Sequence, residues 1–282
     1  MSEVVIVGAG LAGLCCALRL QEAGIDFTLI EAADQVGGRV RTDVRDGFRF
    51  DRGFQVIHSS YPEARRVLNL ASLDLREFEP GCMIYQGEAL HPFIDPWHKP
   101  SAALQSLFGP FGSLADKLRV ARLRHRVTGP AIEKLLAQPE VTTARALEAN
   151  GFGEEIVESF FKPFLAGVFL DPELETSSRK FNWVFRMFAN SLAAVPALGM
   201  GEIPRQLASR IAGERIILNT RARKITEGRV NLEDGRDMLC GQIVVATDPD
   251  TAIKLIERLP AVKFRSVTNL QYSLAEAPVK GS

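Results

Sequence analysis

Near its start the chain reads Val4-Val5-Ile6-Val7-Gly8-Ala9-Gly10-Leu11-Ala12-Gly13-Leu14, a β-branched run feeding directly into a GxGxxG spacing. Few short segments restrict a fold as strongly. Apolar residues in an unbroken run up to a glycine predict a strand buried on both faces, as in a parallel sheet. Leu11, Leu14, Cys15 and Leu18 then recur at i, i+3, i+4 and i+7, the spacing of one helical face. Gly24 ends that helix, and 25–30 forms a second strand closing on Glu31. This is a βαβ unit with short connections, so the fold class is α/β with a Rossmann-like dinucleotide-binding domain.

In such a unit Gly8 permits the tight turn, Gly10 lets the backbone approach a pyrophosphate, and Gly13 lets the helix pack close to the strand. The helix N-terminus, at Leu11 and Ala12, offers unpaired N–H groups and a partial positive charge. Glu31, followed by Ala32, stands where a carboxylate accepts from ribose hydroxyls and repels a 2′-phosphate, which argues against NADP. A glycine-rich turn without a ligand is the alternative. A second loop, Val36-Gly37-Gly38-Arg39-Val40-Arg41-Thr42, follows closely. Gly37 and Gly38 allow it to approach the same ligand, and Arg39 offers phosphate a planar charged fork. Arg41 is expected to be the more solvated of the two arginines. An exchangeable nicotinamide cofactor rarely needs this second clamp, whereas a permanently held dinucleotide does.

The domain is expected to be discontinuous. Between Ser72 and about Val195 the texture changes: Pro92, Pro96, Pro100 and Pro110 punctuate a loop-rich stretch, and helical patterns follow. The segment from Phe152 to Phe188 holds eight phenylalanines and Trp183. Short strands then return at 215–218, 223–226, 229–232 and 242–246, with Asp234-Gly235 as a hairpin turn. Asp248-Pro249 starts a helix, with Asp as N-cap. The expected division is 1–71 with 196–260 for the cofactor domain, and 72–195 with 261–282 for an inserted, mostly helical α+β substrate domain.

"GAGLAGL…EAADQVGGRVRT" resembles the superfamily of flavin-containing amine oxidases, phytoene desaturases and protoporphyrinogen oxidases. "GFRFDRGFQVI" at 47–57 is similar to the family segment beside the isoalloxazine. The resemblance therefore implies FAD as cofactor and places Gly53, Phe54, Gln55 and Val56 near its ring. "GMGEIPRQLA" at 199–208 resembles the return to the cofactor domain. "LNTRARKI" at 218–225 resembles the strand contacting adenine, with Ala222 at the contact position, and "IVVATDP" resembles the final strand. The central "FFKPFLAGVFLDPELETSSRKFNWVFRMF" is most like the phytoene-dehydrogenase branch. Family members continue past Ser282 with a second flavin motif. The resemblance thus implies a fragment, a truncated gene product or an engineered piece that holds FAD loosely.

By that resemblance the reaction is dehydrogenation of a small apolar organic substrate, carotenoid- or isoprenoid-like, by hydride transfer to flavin. O2 or a quinone-like acceptor then takes the electrons. An amine oxidase or protoporphyrinogen-oxidase-like enzyme is one alternative, and a non-catalytic FAD-binding module another. No catalytic residue and no metal site is assigned. Main-chain N–H groups at Gln55 and Val56 are candidates to stabilise reduced-flavin charge. The competing reading makes Phe50, Phe54 and Val56 a buried strand face. His58, next in line, reads as a polar loop histidine. Phe160 with Phe164, and Phe181 with Phe185 and Phe188, have the spacing of helix core first and of a substrate lining second. Lys117, Arg119, Arg122, Arg124 and Arg126, with leucines between, suit a solvated face or an anionic membrane surface.

Lys+Arg and Asp+Glu balance at 34 each, so no bulk field favours nucleic acid. No apolar run reaches membrane-spanning length, and the N-terminus is expected to carry no n-region or cleavage signature, since Val4 already starts a strand. Cys15, Cys16, Cys82 and Cys240 form no CxxC or zinc spacing, which suits a cytoplasmic compartment. A homodimer is a further expectation.

Overall fold

The computed structural model describes residues 2–53, 55–86, 88–102, 111–257 and 259–275, so Phe54 lies outside the described residues. β1 (Val4–Val7) is buried along its whole length, as its unbroken apolar run requires. The helix α1 (Leu11–Glu22) follows, with Leu14, Ala17 and Leu18 buried. Beyond it, Gly24 takes a positive φ of 70°. Its N–H donates to Gln21 O and that of Ile25 to Leu20 O, so Ile25 still closes the helix C-terminus. That is why β2 (Phe27–Ile30) starts two residues later than its apolar pattern suggests.

Two antiparallel strands come next, β3 (Thr42–Arg45) and β4 (Phe48–Asp51), turning at Asp46-Gly47, both with positive φ. β5 (Ile57–His58) and β6 (Leu75–Glu77) both pair with the later β9 (Ala193–Pro196). β7 (Gly81–Gln86) and β8 (Ala89–Ile94) form a hairpin where prolines read as loop. Pro92 is accommodated because, among the described residues, this ribbon has two strands, so its missing N–H faces no further strand. Among the described residues the stretch from 111 to 190 is mainly helical, with helices Leu114–Thr128, Ile132–Leu136, Thr143–Ala149, Lys162–Phe169 and Ser178–Asn190. Ser113 and Asp116 cap the first of these reciprocally.

After the short helix Glu202–Ala208 come β10 (Ile216–Ile217), β11 (Ala222–Thr226), β12 (Arg229–Leu232), β13 (Asp237–Leu239) and β14 (Gln242–Val245). Gly235 turns the β12–β13 hairpin, and Asp248 caps the helix Pro249–Leu255 through Thr251 N–H. The central sheet runs β10-β2-β1-β14, wholly parallel. Its two faces bury different side chains. Val4, Ile6 and Leu29 pack with Leu14 of α1 and Leu207, whereas Val5, Val7 and Ile30 pack with Val230, Leu232 and Leu255. This three-layer α/β arrangement is of the Rossmann type. A separate core of Leu123, Ile156, Phe161, Leu165 and Phe181 holds the helices together.

Candidate functional site

The parallel sheet sets the fingerprint at the C-terminal end of β1. Gly8 N–H donates to Ile30 O at 2.8 Å, and Ala246 N–H donates to Val7 O at 2.9 Å. A Cβ on Gly13 would overlap the carbonyl oxygen of Gly8, so only glycine lets α1 start this close to the strand. Gly10 is the reverse case: a Cβ there would meet nothing within 4 Å. α1 begins at Leu11 and Ala12 with Gly10 as its N-cap, without a side-chain cap and without an acid in its first turn. Open backbone and uncapped N–H groups fit a pyrophosphate, which would bring the missing acceptors.

The second glycine loop docks on the first. Gly37 N–H donates to Ala9 O at 2.9 Å, and the Cβ position of Gly38 lies 3.5 Å from Gly10 Cα. Glu31 accepts from Ala9 N–H at 2.7 Å and from Ala33 N–H at 2.8 Å, one bond to each oxygen. Each oxygen keeps lone-pair capacity for a ribose hydroxyl. Ala32 is half-buried beside it. Segment 217–220 runs alongside, with Thr220 N–H donating to Glu31 O and Asn219 N–H to Ala33 O. Ala222 opens β11 just beyond. Gly8, Gly10, Leu11, Ala12, Gly13, Glu31, Ala32, Gly37 and Gly38 thus gather at one end of the sheet, with Ala222 nearby.

The two arginines exchange the environments expected of them. Arg39 is exposed, whereas Arg41 is the buried one at 8% exposure. Arg41 pairs with Asp34 at 3.0 Å and, with the Gln35 amide oxygen turned towards it, also donates to Gln35. It is a loop fastener. Removing either arginine should therefore separate two readouts. Arg39→Ala is expected to weaken FAD by tenfold or more, as loss of a charged hydrogen bond of ~1.5–3 kcal/mol implies, at an unchanged melting temperature. Arg41→Ala should lower the melting temperature first. Flavin titration beside thermal melts checks this, and equal flavin affinities for the two variants would remove Arg39 from the site.

Sequence reading missed Thr42 and Asp51. Thr42 is buried, and its hydroxyl donates to Asp51 Oδ1. Gly201 N–H donates to Thr42 Oγ1 at 2.8 Å and Met200 N–H to Asp51 Oδ1 at 2.9 Å. The pair ties the Gly-Met-Gly return to the strand that follows the second glycine loop. Gly53, with φ of 92°, and half-buried Gln55 and Val56 form irregular backbone after β4, and Phe50 is only half-buried in β4. Among the described residues, Phe50 and Val56 therefore do not form a buried strand face. The Gln55 amide donates to Arg39 O and Arg52 O, linking this segment to the second loop.

His58 is no loop histidine. It is 1% exposed in β5, and burial pushes its pKa down, partly opposed by its bond to Ser191. Its Nδ1 lies 3.3 Å from Ser191 O, while its Nε2 has no partner. From it a row of rings extends both ways. Tyr61 lies 5.5 Å away and stacks on Trp183 at 5.2 Å. Phe188 lies 4.3 Å away, then Phe164, Phe160 and Phe93 follow at 5.2, 5.7 and 4.3 Å. The phenylalanine spacing splits between its two readings: Phe161 and Phe181 are core, whereas Phe160, Phe164, Phe185 and Phe188 are half-buried. A π-helical turn at Val157–Phe161 sits where Phe160 and Phe161 diverge.

A model of the family described as flavin containing amine oxidoreductase matches residues 11–277. Coproporphyrinogen III oxidase of Mycobacterium bovis is 30% identical over 170 residues, 58% of this chain and 36% of that protein. A 4,4′-diapolycopene oxygenase of a Methylomonas species is 44% identical over 55 residues, 20% of this chain and 11% of that protein. A triple mutant of putrescine oxidase, made to redesign cofactor binding, aligns with a TM-score of 0.67 at 20% identity, over 90% of this chain and 60% of that one. That likeness shows the fold. The chain spans about a third of the length of the first relative and three-fifths of the solved structure.

Proposed function

Because the chain belongs to the flavin containing amine oxidoreductase family, we propose that it serves an FAD-dependent dehydrogenation of a small apolar organic substrate, carotenoid- or isoprenoid-like. FAD is the cofactor of this family fold, and bound at the fingerprint it supplies two-electron acceptance from a substrate C–H bond. The chain's own contribution is position. Glu31, Gly10 and the α1 N-terminus hold the adenosine diphosphate half, and Arg39 adds charge from the second loop. Two adjacent C–H bonds of the substrate would break, one hydrogen leaving as the hydride equivalent that bound flavin can accept and the other as a proton to water, and a double bond would form between the two carbons. O2 or a quinone-like acceptor takes the electrons onward.

The observation that carries the substrate class is the row of rings from Trp183 to Phe93, half-buried apart from His58 in its middle, which follows directly on Ile57 and the Gln55-Val56 segment. Such a wall offers stacking and apolar burial to a long conjugated molecule and asks for no charge. One relative is named for acting on a diapolycopene, a long conjugated hydrocarbon, which supports the same class. The test reconstitutes the full chain with FAD and offers a carotenoid, a porphyrinogen and an aliphatic amine without oxygen. Bleaching by an apolar substrate is expected, with a KM about tenfold higher in Phe188→Ser, since a lost aromatic contact removes ~0.5–1.5 kcal/mol beyond burial. Bleaching by the amine alone would reverse the assignment.

A further inference from the structure

The helix Leu114–Thr128 carries an outward face that the redox chemistry does not use. Its inward face is set by Leu123 and Val127, fully buried, and by Asp116, 3% exposed and engaged with Ser113, Gly153 and Arg119. Asp116 is the single acid of this helix. On the opposite side Leu114, Leu118, Ala121 and His125 follow at i, i+4, i+7 and i+11, one continuous stripe. The two leucines are 58% and 72% exposed. Lys117 and Arg124, seven residues apart, border the stripe on one side, and Arg122 and Arg126, four apart, border it on the other. Arg124 lies over the ring of Trp97 at 5.1 Å, and Trp97 is itself 45% exposed.

Exposed leucines framed on both sides by cations, with an adjoining half-exposed tryptophan, make a surface of defined chemistry. A solvated charged face would not carry Leu118 in its middle. A protein partner with a plain apolar groove would not call for cations along both borders. We propose that this helix docks flat on an anionic lipid bilayer. Leu114 and Leu118 enter the acyl boundary, Trp97 lies at headgroup level, and Lys117, Arg122, Arg124 and Arg126 meet lipid phosphates and carboxylates. The charges supply the second signal that two leucines alone lack. Each cation near such a surface contributes about fivefold in binding, and each side chain withdrawn from water adds its own share.

The experiment is co-sedimentation of the full chain with vesicles of phosphatidylcholine, alone or with about a quarter phosphatidylserine. Binding is expected to the serine-containing vesicles and to fall steeply with added salt. Leu114→Ser with Leu118→Ser should weaken it tenfold or more, and Arg122→Gln about fivefold. Both changes are on exposed positions and should leave the thermal midpoint unmoved. If the leucine pair unfolds the chain, Arg122→Gln and the salt series still decide. Equal sedimentation with both vesicle types, or none with either, overturns the proposal. So does a dimer that the leucine variant dissociates without any lipid binding, since the face would then cover a second copy.

Discussion

Gly13→Ala is expected to abolish flavin retention and to destabilise the fold, whereas Gly10→Ala should abolish flavin retention alone. At Gly13 the new methyl would overlap Gly8 O and press on Ala246 Cβ at 3.4 Å, so α1 must retreat from β1. Inserting one carbon into so tight a contact costs ~1–3 kcal/mol or more, because backbone and not a flexible side chain must yield. The retreat also carries the uncapped N–H groups of the helix away from the Gly37–Gly38 loop, so both phosphate-facing edges separate. At Gly10, φ is −71° and nothing lies within 4 Å, so alanine fits the free protein without strain. It fills only the space a pyrophosphate would take. Flavin per chain after dialysis and thermal midpoints separate the two outcomes. A Gly13→Ala chain that keeps stoichiometric flavin, or a Gly10→Ala chain that binds as well as the parent, would break the link between these glycines and the cofactor.

Legibility in the sequence follows how local each determinant is. β1 and α1 depend on a buried run and a repeat within 20 residues of the start, and their bounds were readable directly. The Asp248 cap and the Asp234-Gly235 turn are equally local. The β3–β4 hairpin has the same signal in Asp46-Gly47, both with positive φ, though the turn lies where 47–57 also resembles the segment beside the cofactor. β8 is hidden by Pro92, which reads as a breaker although, among the described residues, no third strand needs its N–H. Arg41 could not be ranked against Arg39 from spacing, because its burial depends on Asp34 and Gln35 folding over it. The Thr42–Asp51 pair is farther from view still: its acceptor–donor contacts are with Met200 and Gly201, some 150 residues on, and polar residues in a strand carry no mark of such a partner. His58 shows the same limit. Its neighbours Phe188 and Ser191 come from another part of the chain, so burial, and not residue type, decided its environment.

Acidification should loosen the helical region before the parallel sheet. Burial alone would raise the pKa of Asp116, but bonds from Ser113, Gly153 and Arg119 outweigh it and hold the carboxyl at about 2. Asp171 is likewise buried, and Arg265 with Thr176 holds it at about 2. Both values lie below the unfolded 3.8, so the unfolded chain takes up protons first. The stabilisation is therefore complete above about pH 5 and is lost as pH falls towards 2, at roughly 2 kcal/mol for each carboxylate. His58 adds to the loss from higher pH. Its folded pKa is depressed by burial, so below 6.5 the unfolded imidazole gains a proton that the buried ring resists. These three groups belong to the helices and the aromatic row: Asp116 ties the start of Leu114–Thr128 to Gly153, and Asp171 fastens the turn between Lys162–Phe169 and Ser178–Asn190. Both tryptophans, Trp97 and Trp183, lie outside the parallel sheet, so their fluorescence should change at a higher pH than the hydrogen-exchange protection of the β1 and β2 amides. In Asp116→Asn with Asp171→Asn the chain should start less stable near neutrality and lose far less between pH 5 and 2. A double variant that shows the parent's acid slope would mean that other groups carry the titration and that these two carboxylates do not hold the helical region together.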